Sequence, residues 1–530
     1  MSFSENVGSG EENPLREGMP DERTVRPASV VIFGASGDLT RRKLLPAIYN
    51  LALSRLLPGG FAVVGVARRP KPEFGREMRD AVAKFSRRKP LDEATWSELE
   101  KGMAYVQGDF NDPATYARLA AELGRLEVER GTGQNRVFYL AVAPTEVPAI
   151  VRGLCDAKLV VPPSDAPDAS YQRVVVEKPF GEDLASARAL NKDLLACLDE
   201  RQIYRIDHYL GKETVQNLLV FRFGNTIFEP LWTRQHVSHV QITVAEELGV
   251  EGRGKFYDQT GITRDIVQNH ALQLLTMVTM EPPSSWDADA VRDEKVKVLR
   301  ALRPIRGREV LEKTVRAQYT AGTVRGDRVP GYREEPDVDP NSKTETYVAM
   351  SLRIDSFRWG GVPFYLRSGK RLAKRCAEVA LHFKPLPHRL FRDAPHGLDG
   401  GPPPSIRRGE DEPNVLVVRI QPDEGIALRF ATKVPGGGMT MRNVAMDFRY
   451  GTAFGSSTPE AYERLILDAM RGDATLFTRA DEVEAQWGFI DPILAGWSDA
   501  DAPVATYEAG SWGPREADRL LVPGDKWRKP

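Results

Sequence analysis

A short β-branched run, Ala28-Ser29-Val30-Val31-Ile32-Phe33, passes into Gly34-Ala35-Ser36-Gly37-Asp38-Leu39, after which Leu44, Leu45, Ala47, Ile48, Leu51 and Leu53 recur at helical spacing. Strand, tight glycine turn and helix in this order form the opening of a βαβ unit, which commits the chain to a parallel sheet. The turn is also suited to a ligand. Glycines let backbone approach a pyrophosphate, and the N–H groups and dipole at a helix start favour its charge. Gly34, Ser36, Gly37, Asp38 and Leu39 are therefore candidate cofactor contacts. The motif departs from G-x-G-x-x-G, because Ser36 and Leu39 occupy the second and third glycine positions. Arg41, Arg42 and Lys43 near the helix N-terminus oppose its dipole, and a bound phosphate would offset them.

A second strand, Phe61 to Ala67, leads into Arg68 and Arg69. The residue after the second strand of a dinucleotide site meets the adenosine ribose; an acidic side chain there suits a 2′-hydroxyl and an arginine a 2′-phosphate. Arg68 thus points to NADP, with NAD the weaker alternative and a solvated arginine pair before Pro70 the unremarkable reading. Strand-like runs at Arg136–Val142 and Arg173–Val176, with a helical pattern between Asp112 and Arg130, complete the alternation of a doubly wound sheet. Lys178, in Glu177-Lys178-Pro179-Phe180-Gly181, stands at a strand's carboxyl end, where ligands gather in such folds. Beyond Tyr209 the rhythm changes. His239–Ala245, Thr346–Ile354 and Val415–Ile420 alternate apolar and polar residues, which suits a large, mainly antiparallel sheet with one face covered. The expected fold class is α/β: a Rossmann-like doubly wound parallel sheet domain over residues 28–206, then an α+β domain over 207–530. Residues 1–27 read as a disordered polar tail, and Val161–Ala169 and Pro395–Pro413 as loops.

At 530 residues the chain exceeds what one core usually serves. Its 73 basic and 74 acidic residues nearly cancel, so no global field favours nucleic acid or an anionic membrane. No apolar run approaches the roughly 20 residues that span a bilayer. Cys155, Cys197 and Cys376 lie far apart without metal-type spacing, which argues against a disulfide framework or a structural zinc, predicts no metal, and favours a reducing, cytoplasmic setting.

The densest chemistry lies at Arg205-Ile206-Asp207-His208-Tyr209-Leu210-Gly211-Lys212-Glu213, which gathers a carboxylate, an imidazole, a phenol and an ammonium. Such a run suits an anionic, polyhydroxylated ligand. Arg205 to Tyr209 reads as extended, so Asp207 and His208 should face opposite sides. The second concentration is Arg264-Asp265-Ile266-Val267-Gln268-Asn269-His270, continued as a helix by Leu274, Leu275 and Met277 until Pro282-Pro283 ends it. A mid-helix histidine with apolar neighbours is ordinarily a satisfied core residue. An imidazole is also the side chain best poised to take a proton at neutral pH. Asp265, five residues before His270, should not share its face on an α-helix.

These segments, with Pro363-Phe364-Tyr365-Leu366-Arg367-Ser368-Gly369-Lys370, Pro459-Glu460-Ala461-Tyr462-Glu463-Arg464-Leu465-Ile466 and Gly513-Pro514, resemble the glucose-6-phosphate dehydrogenase family in the family's order from about Ala28 to Leu521. The resemblance implies oxidation of D-glucose 6-phosphate to 6-phosphoglucono-δ-lactone with NADP⁺, the first step of the oxidative pentose phosphate pathway, by a homodimer or homotetramer. It implies His270 as the base that takes the anomeric hydroxyl proton and Asp207 as the carboxylate that orients it. His208, Tyr209 and Lys212 would clamp the 6-phosphate. Lys370 and Arg375 match further substrate positions, and Glu246 and Asp265 match residues that bind sugar hydroxyls. Lys178 would sit between cofactor and substrate. One departure is Ala143 before Pro144, where the family usually has a second proline. The wider group of sugar dehydrogenases shares the strand, turn and helix but lacks the phosphate clamp. A binding subunit without turnover would be expected to have lost some of Asp207, His208, Lys212, Asp265 and His270.

Overall fold

The computed structural model describes residues 25–166, 168–388, 413–436, 441–454 and 459–530. The predicted tail up to residue 24 and nearly all of the predicted loop at 395–413 lie outside them. Strands β1 (Ala28–Phe33), β2 (Phe61–Ala67), β3 (Met103–Gln107), β4 (Arg136–Leu140), β5 (Gln172–Val176) and β6 (Ile203–Ile206) pair in parallel in the spatial order β6-β5-β4-β1-β2-β3. That is the order of a dinucleotide-binding sheet, with its switch point between β1 and β4. β1 and β2 are buried along their whole length, as parallel strands covered on both faces must be. The helix predicted from Asp112 runs Pro113–Arg130; Asp112 caps it by accepting from Ala114 N, and Gly131 ends it at φ 65°.

The second sheet contains β7 (Val237–Ala245), β8 (Thr314–Thr320), a separate hairpin of β9 (Gly322–Val324) and β10 (Asp327–Val329) lying beside it, β11 (Tyr347–Leu352), β12 (Phe364–Gly369), β13 (Cys376–Phe383), β14 (Val415–Gln421), β15 (Gly425–Lys433) and β16 (Met441–Arg449). β17 (Phe477–Thr478) instead pairs antiparallel with β6, so the chain returns late to close the first sheet. β18 (Ala505–Glu508) completes nine strands in the order β16-β15-β14-β13-β7-β12-β11-β8-β18. Every joint is antiparallel except β7 with β12 and β8 with β18.

Three expectations need correction. The central strands of this sheet are covered on both faces, because the C-terminal segment lies across the polar one. Gln241 donates to Lys526 O at 2.8 Å, Arg528 N donates to Gln241 at 2.8 Å, and Arg367 packs 4.9 Å from the Trp527 ring. The strap supplies the hydrogen bonds that water would otherwise make, which is why β7 alternates in sequence yet is almost wholly buried. Extended structure ends at Ile206, not Tyr209: Asp207 accepts from Tyr209 N at 2.9 Å and Leu210 N donates to Asp207 O at 3.0 Å, forming a turn. Finally, Cys155 and Cys197 form a disulfide between the helix Val147–Asp156 and the segment after the helix Leu184–Leu195, leaving Cys376 as the buried free thiol. Their separation of 42 residues gave no local sign of pairing. The inference of a reducing compartment loses its premise. Among the described residues no helix is long and apolar enough to cross a membrane.

Candidate active site

The turn after β6 and an irregular helix meet at the carboxyl edge of the first sheet. Thr263–Ala271 is a π-helix that continues as an α-helix over Leu272–Thr279. Its wider turn returns to one face every fourth to fifth residue. Asp265 and His270 consequently share a face despite their separation, and both reach Lys178, whose Nζ lies 3.3 Å from Asp265 Oδ1, 2.9 Å from Asp265 O and 3.0 Å from His270 Nε2. The expectation from α-helical spacing fails because the helix there is not α.

His270 is 1% exposed, and its Nδ1 lies 2.5 Å from Asp207 Oδ1. Tyr209 stacks on its ring at 4.3 Å and 20°, while His208 meets it edge-on at 4.4 Å. Asp207 and His208 therefore approach the same partner, since the turn brings round what an extended strand would have kept apart. Burial pulls the His270 imidazole below its ordinary value; Asp207 opposes this and Lys178 reinforces it. Burial would raise the Asp207 carboxyl, but the charge and hydrogen bond of His270, then His208 and the Tyr209 N–H, outweigh it and hold the group well below the usual range. The pair is best described as carboxylate and neutral imidazole. Nδ1 then carries the proton and Nε2 the lone pair, the tautomer that a carboxylate at Nδ1 imposes.

Lys212 Nζ lies 4.6 Å from the Tyr209 ring centroid and bonds Gln421, whose amide donates to Tyr209 Oη at 3.1 Å. Burial brings the Lys212 ammonium down to about 8. Burial, then the charge of His270, pulls His208 well below its ordinary value. Arg375 is exposed, and its charge acts on both Tyr209 and Lys212. Lys370 donates to Glu246 at 2.5 Å and lies 5.0 Å from the Tyr257 ring. Burial raises Asp265, but Lys178, Lys370 and His270 together hold it below the usual carboxylate range.

The ligand atoms of Asp207, His208 and His270 lie within 4.8 Å of one another, a spacing that could hold a metal ion. Lys178, 3.0 Å from His270 Nε2, sets a positive charge against one.

At the switch point Gly34 takes φ +82°, and a Cβ there would lie 2.1 Å from Ala141 O, so only glycine fits between β1 and the end of β4. Gly37 N donates to Gly34 O, which shapes the turn around Ser36. Arg68 leaves the end of β2 exposed, 3.5 Å from Glu146 and 5.8 Å from the Phe110 ring. A glycine turn opening a helix beside a guanidinium at the next strand's end fits a dinucleotide pyrophosphate and a phosphomonoester. Two of the basic residues after the turn already have carboxylates: Arg42 meets Asp38 at 3.5 Å and Lys43 meets Glu460 at 2.9 Å. Ala143 adopts φ −62° and ψ 146°, the conformation proline would impose, so the departure there leaves the loop's path intact.

Sequence reasoning missed Gln421, Tyr257 and Asn269, whose side chain accepts from His270 N at 2.6 Å. It also missed half-buried Glu177, which accepts from Tyr139 Oη at 2.5 Å and whose carboxyl is raised by desolvation. Gln421 ends β14, more than 200 residues from Lys212, and nothing local signals it.

Two family models cover the chain. The glucose-6-phosphate dehydrogenase NAD binding domain matches residues 31–217, and the glucose-6-phosphate dehydrogenase C-terminal domain matches residues 219–528. The chain is 46% identical over 525 residues to glucose-6-phosphate 1-dehydrogenase 2 of Mycobacterium tuberculosis, covering 98% of both. It is 45% identical to glucose-6-phosphate 1-dehydrogenase of Chlamydia muridarum, covering 97% of this chain and 99% of that protein. A solved glucose-6-phosphate dehydrogenase in complex with glucose-6-phosphate superposes with TM-score 0.84 at 34% identity, covering 96% of this chain and all of that one. A second from Mycobacterium avium gives 0.76 at 36% identity, covering 95% and 99%.

Proposed function

The chain belongs to the glucose-6-phosphate dehydrogenase family and oxidises glucose 6-phosphate with a nicotinamide cofactor, and we propose that it prefers NADP⁺ and uses His270 as general base, oriented by Asp207. The observation that carries this is the 2.5 Å contact between His270 Nδ1 and Asp207 Oδ1 in a buried setting. It leaves Nε2 as the basic atom. A nicotinamide held at the glycine turn would supply the hydride acceptor for the anomeric carbon.

That carbon sheds hydride only as its hydroxyl loses a proton. Nε2 takes the proton, and a positioned base of this kind typically contributes ~10²- to 10⁴-fold in rate. Asp207 then stabilises the imidazolium, as a carboxylate does in hydrolase triads. Lys178 holds Nε2 at 3.0 Å, so the sugar hydroxyl must displace that contact, and the ammonium remains at hand to hydrogen-bond the oxygen. His208, Tyr209, Lys212 and Arg375 clamp the 6-phosphate by charge-assisted bonds. Glu246, Asp265 and Lys370 bind sugar hydroxyls. Gly34, Ser36, Gly37, Asp38 and Leu39 hold the pyrophosphate, and Arg68 holds the 2′-phosphate. Residues 28–206 serve the cofactor, and residues 207–530 serve substrate and assembly.

We also propose a homo-oligomer through the end of the second sheet at β16, the last strand of the sheet among the described residues. β15 and β16 are largely exposed, with Val444 at 37%, Met446 at 64% and Phe448 at 37%. A long outer strand that exposes an apolar row invites packing against a second copy. Steady-state rates with each cofactor, on glucose 6-phosphate and on glucose, test reaction, cofactor and phosphate requirement together. Equal turnover of glucose would overturn the clamp, and a preference for NAD⁺ would overturn the reading of Arg68.

A further inference from the structure

Behind His270, three segments of the site meet one helix. The helix Ala480–Asp499 begins just after β17, which pairs with β6 so that Phe477 stands opposite Ile206, the residue before Asp207. Glu482, in its first turn, accepts from Gln273 Nε2 at 2.6 Å, and Gln273 lies three residues after His270, where the π-helix has become an α-helix. Trp487 of the same helix donates through Nε1 to Phe180 O at 2.9 Å, two residues after Lys178. One helix therefore holds the segments that carry His270, Asp207 and Lys178.

Glu482 takes its charge into the interior. Lys295, on the helix Ala288–Ala301, meets its Oε1 at 2.8 Å, and neither side chain is exposed. Gln273 and Thr478, whose Oγ1 lies 3.5 Å from Gln273 Nε2, are buried with them. Desolvation of such a pair largely cancels its attraction, and an apolar pair of similar volume commonly holds a fold as well or better. An apolar pair cannot supply a directional acceptor. The Glu482 carboxylate fixes the Gln273 amide in one orientation, by the stronger kind of hydrogen bond. A π-helix is rare and winds with a period of its own, so the place where it passes into the α-helix sets where His270 points. Gln273 stands at that place.

We propose that Glu482, paired with Lys295, is a positioning residue for the proton transfer: through Gln273 it keeps His270 Nδ1 against Asp207 Oδ1. The inference rests on His270 and Asp207 acting as the base and its orienting carboxylate.

Gln273→Met keeps the length of the side chain, leaves the ion pair whole and removes only the link. Steady-state rates with glucose 6-phosphate and NADP⁺ should show kcat lowered roughly tenfold, since small misplacements of reacting groups are costly, with KM for glucose 6-phosphate nearly unchanged. The acid limb of kcat/KM should move to lower pH, because Asp207 raises the imidazole against burial. Added to Asp207→Asn, Gln273→Met should cost less than about twofold more, as the carboxylate it aligns is already gone. Lys295→Met with Glu482→Met removes both buried charges together and should match Gln273→Met; Lys295→Met with Glu482→Gln keeps an acceptor for Gln273 and should recover most of the rate. If the Lys295 variants do not fold, Gln273→Met and its combination with Asp207→Asn decide alone. An unchanged kcat in Gln273→Met, or the full loss repeated on top of Asp207→Asn, overturns the inference, while losses in His270→Asn and Asp207→Asn would still support the base. A normal kcat in His270→Asn overturns both.

Discussion

Lys212→Ala separates the phosphate clamp from the chemistry. The ammonium stacks against Tyr209 at 4.6 Å and bonds Gln421, so it is held in place before substrate arrives. A charge-assisted hydrogen bond to a dianion is commonly worth ~1.5–3 kcal/mol. At about 1.4 kcal/mol per tenfold, its loss should raise KM for glucose 6-phosphate roughly ten- to hundredfold. The contact is remote from the reacting carbon and weakens ground and transition states together, so kcat should fall much less. Initial rates across substrate concentrations, with glucose as comparison, should show the preference for the phosphate narrowing by the same factor. A pH series adds a sign. Burial lowers Lys212 to about 8, so it is an ammonium below that pH and a neutral amine above it. The sugar phosphate becomes a dianion above roughly pH 6. Affinity should therefore be greatest between these values, and KM of the unmodified enzyme should rise as pH passes about 8. Lys212→Ala should lack that rise. An unchanged KM and an unchanged preference over glucose would refute the clamp.

Arg68→Ala should raise KM for NADP⁺ roughly tenfold or more while leaving NAD⁺ nearly unaffected, as measured in parallel saturation curves, since only one of them carries the 2′-phosphate. Asp207→Asn should lower kcat, though less than loss of the base. Because Asp207 raises the imidazole against burial, its removal should also move the acid limb of the kcat/KM profile to lower pH. In the unmodified enzyme activity should fall as pH drops through a His270 value below the ordinary ~6.5, where the base becomes protonated. Met446→Lys, which places a charge on the exposed face of β16, should shift the particle toward monomer in light scattering; an unchanged mass would move the interface elsewhere.

The parallel half of the fold was legible because its signals are local. Gly34 must take positive φ between β1 and β4, and the β-branched runs of β1 and β2 are buried on both faces. The second sheet was legible as a pattern but not in its coverage, since the strap that hides Gln241 and Arg367 comes from residues near 527. In the candidate site, the density of Asp207 to Lys212 drew attention to a segment that the structure packs against His270. The turn at Asp207 escaped notice because an aspartate that captures the Tyr209 N–H looks no different, in sequence, from one in a strand. The π-helix hid the meeting of Asp265 and His270 for a related reason: a 3.6-residue period is assumed wherever a helix is read, and the inserted residue leaves no compositional trace. Gln421 was out of reach, joined to Lys212 and Tyr209 only by the packing of β14 beside them.

The central claim is that His270 is the base, and His270→Asn tests it most directly. Asparagine keeps a polar side chain near Asp207 but cannot take the proton. The variant should lose ~10²- to 10⁴-fold in kcat, with KM for glucose 6-phosphate nearly unchanged because the proposed phosphate contacts at His208, Tyr209 and Lys212 remain. A kcat close to that of the unmodified enzyme would return His270 to the core and leave the 2.5 Å contact with Asp207 as a structural hydrogen bond.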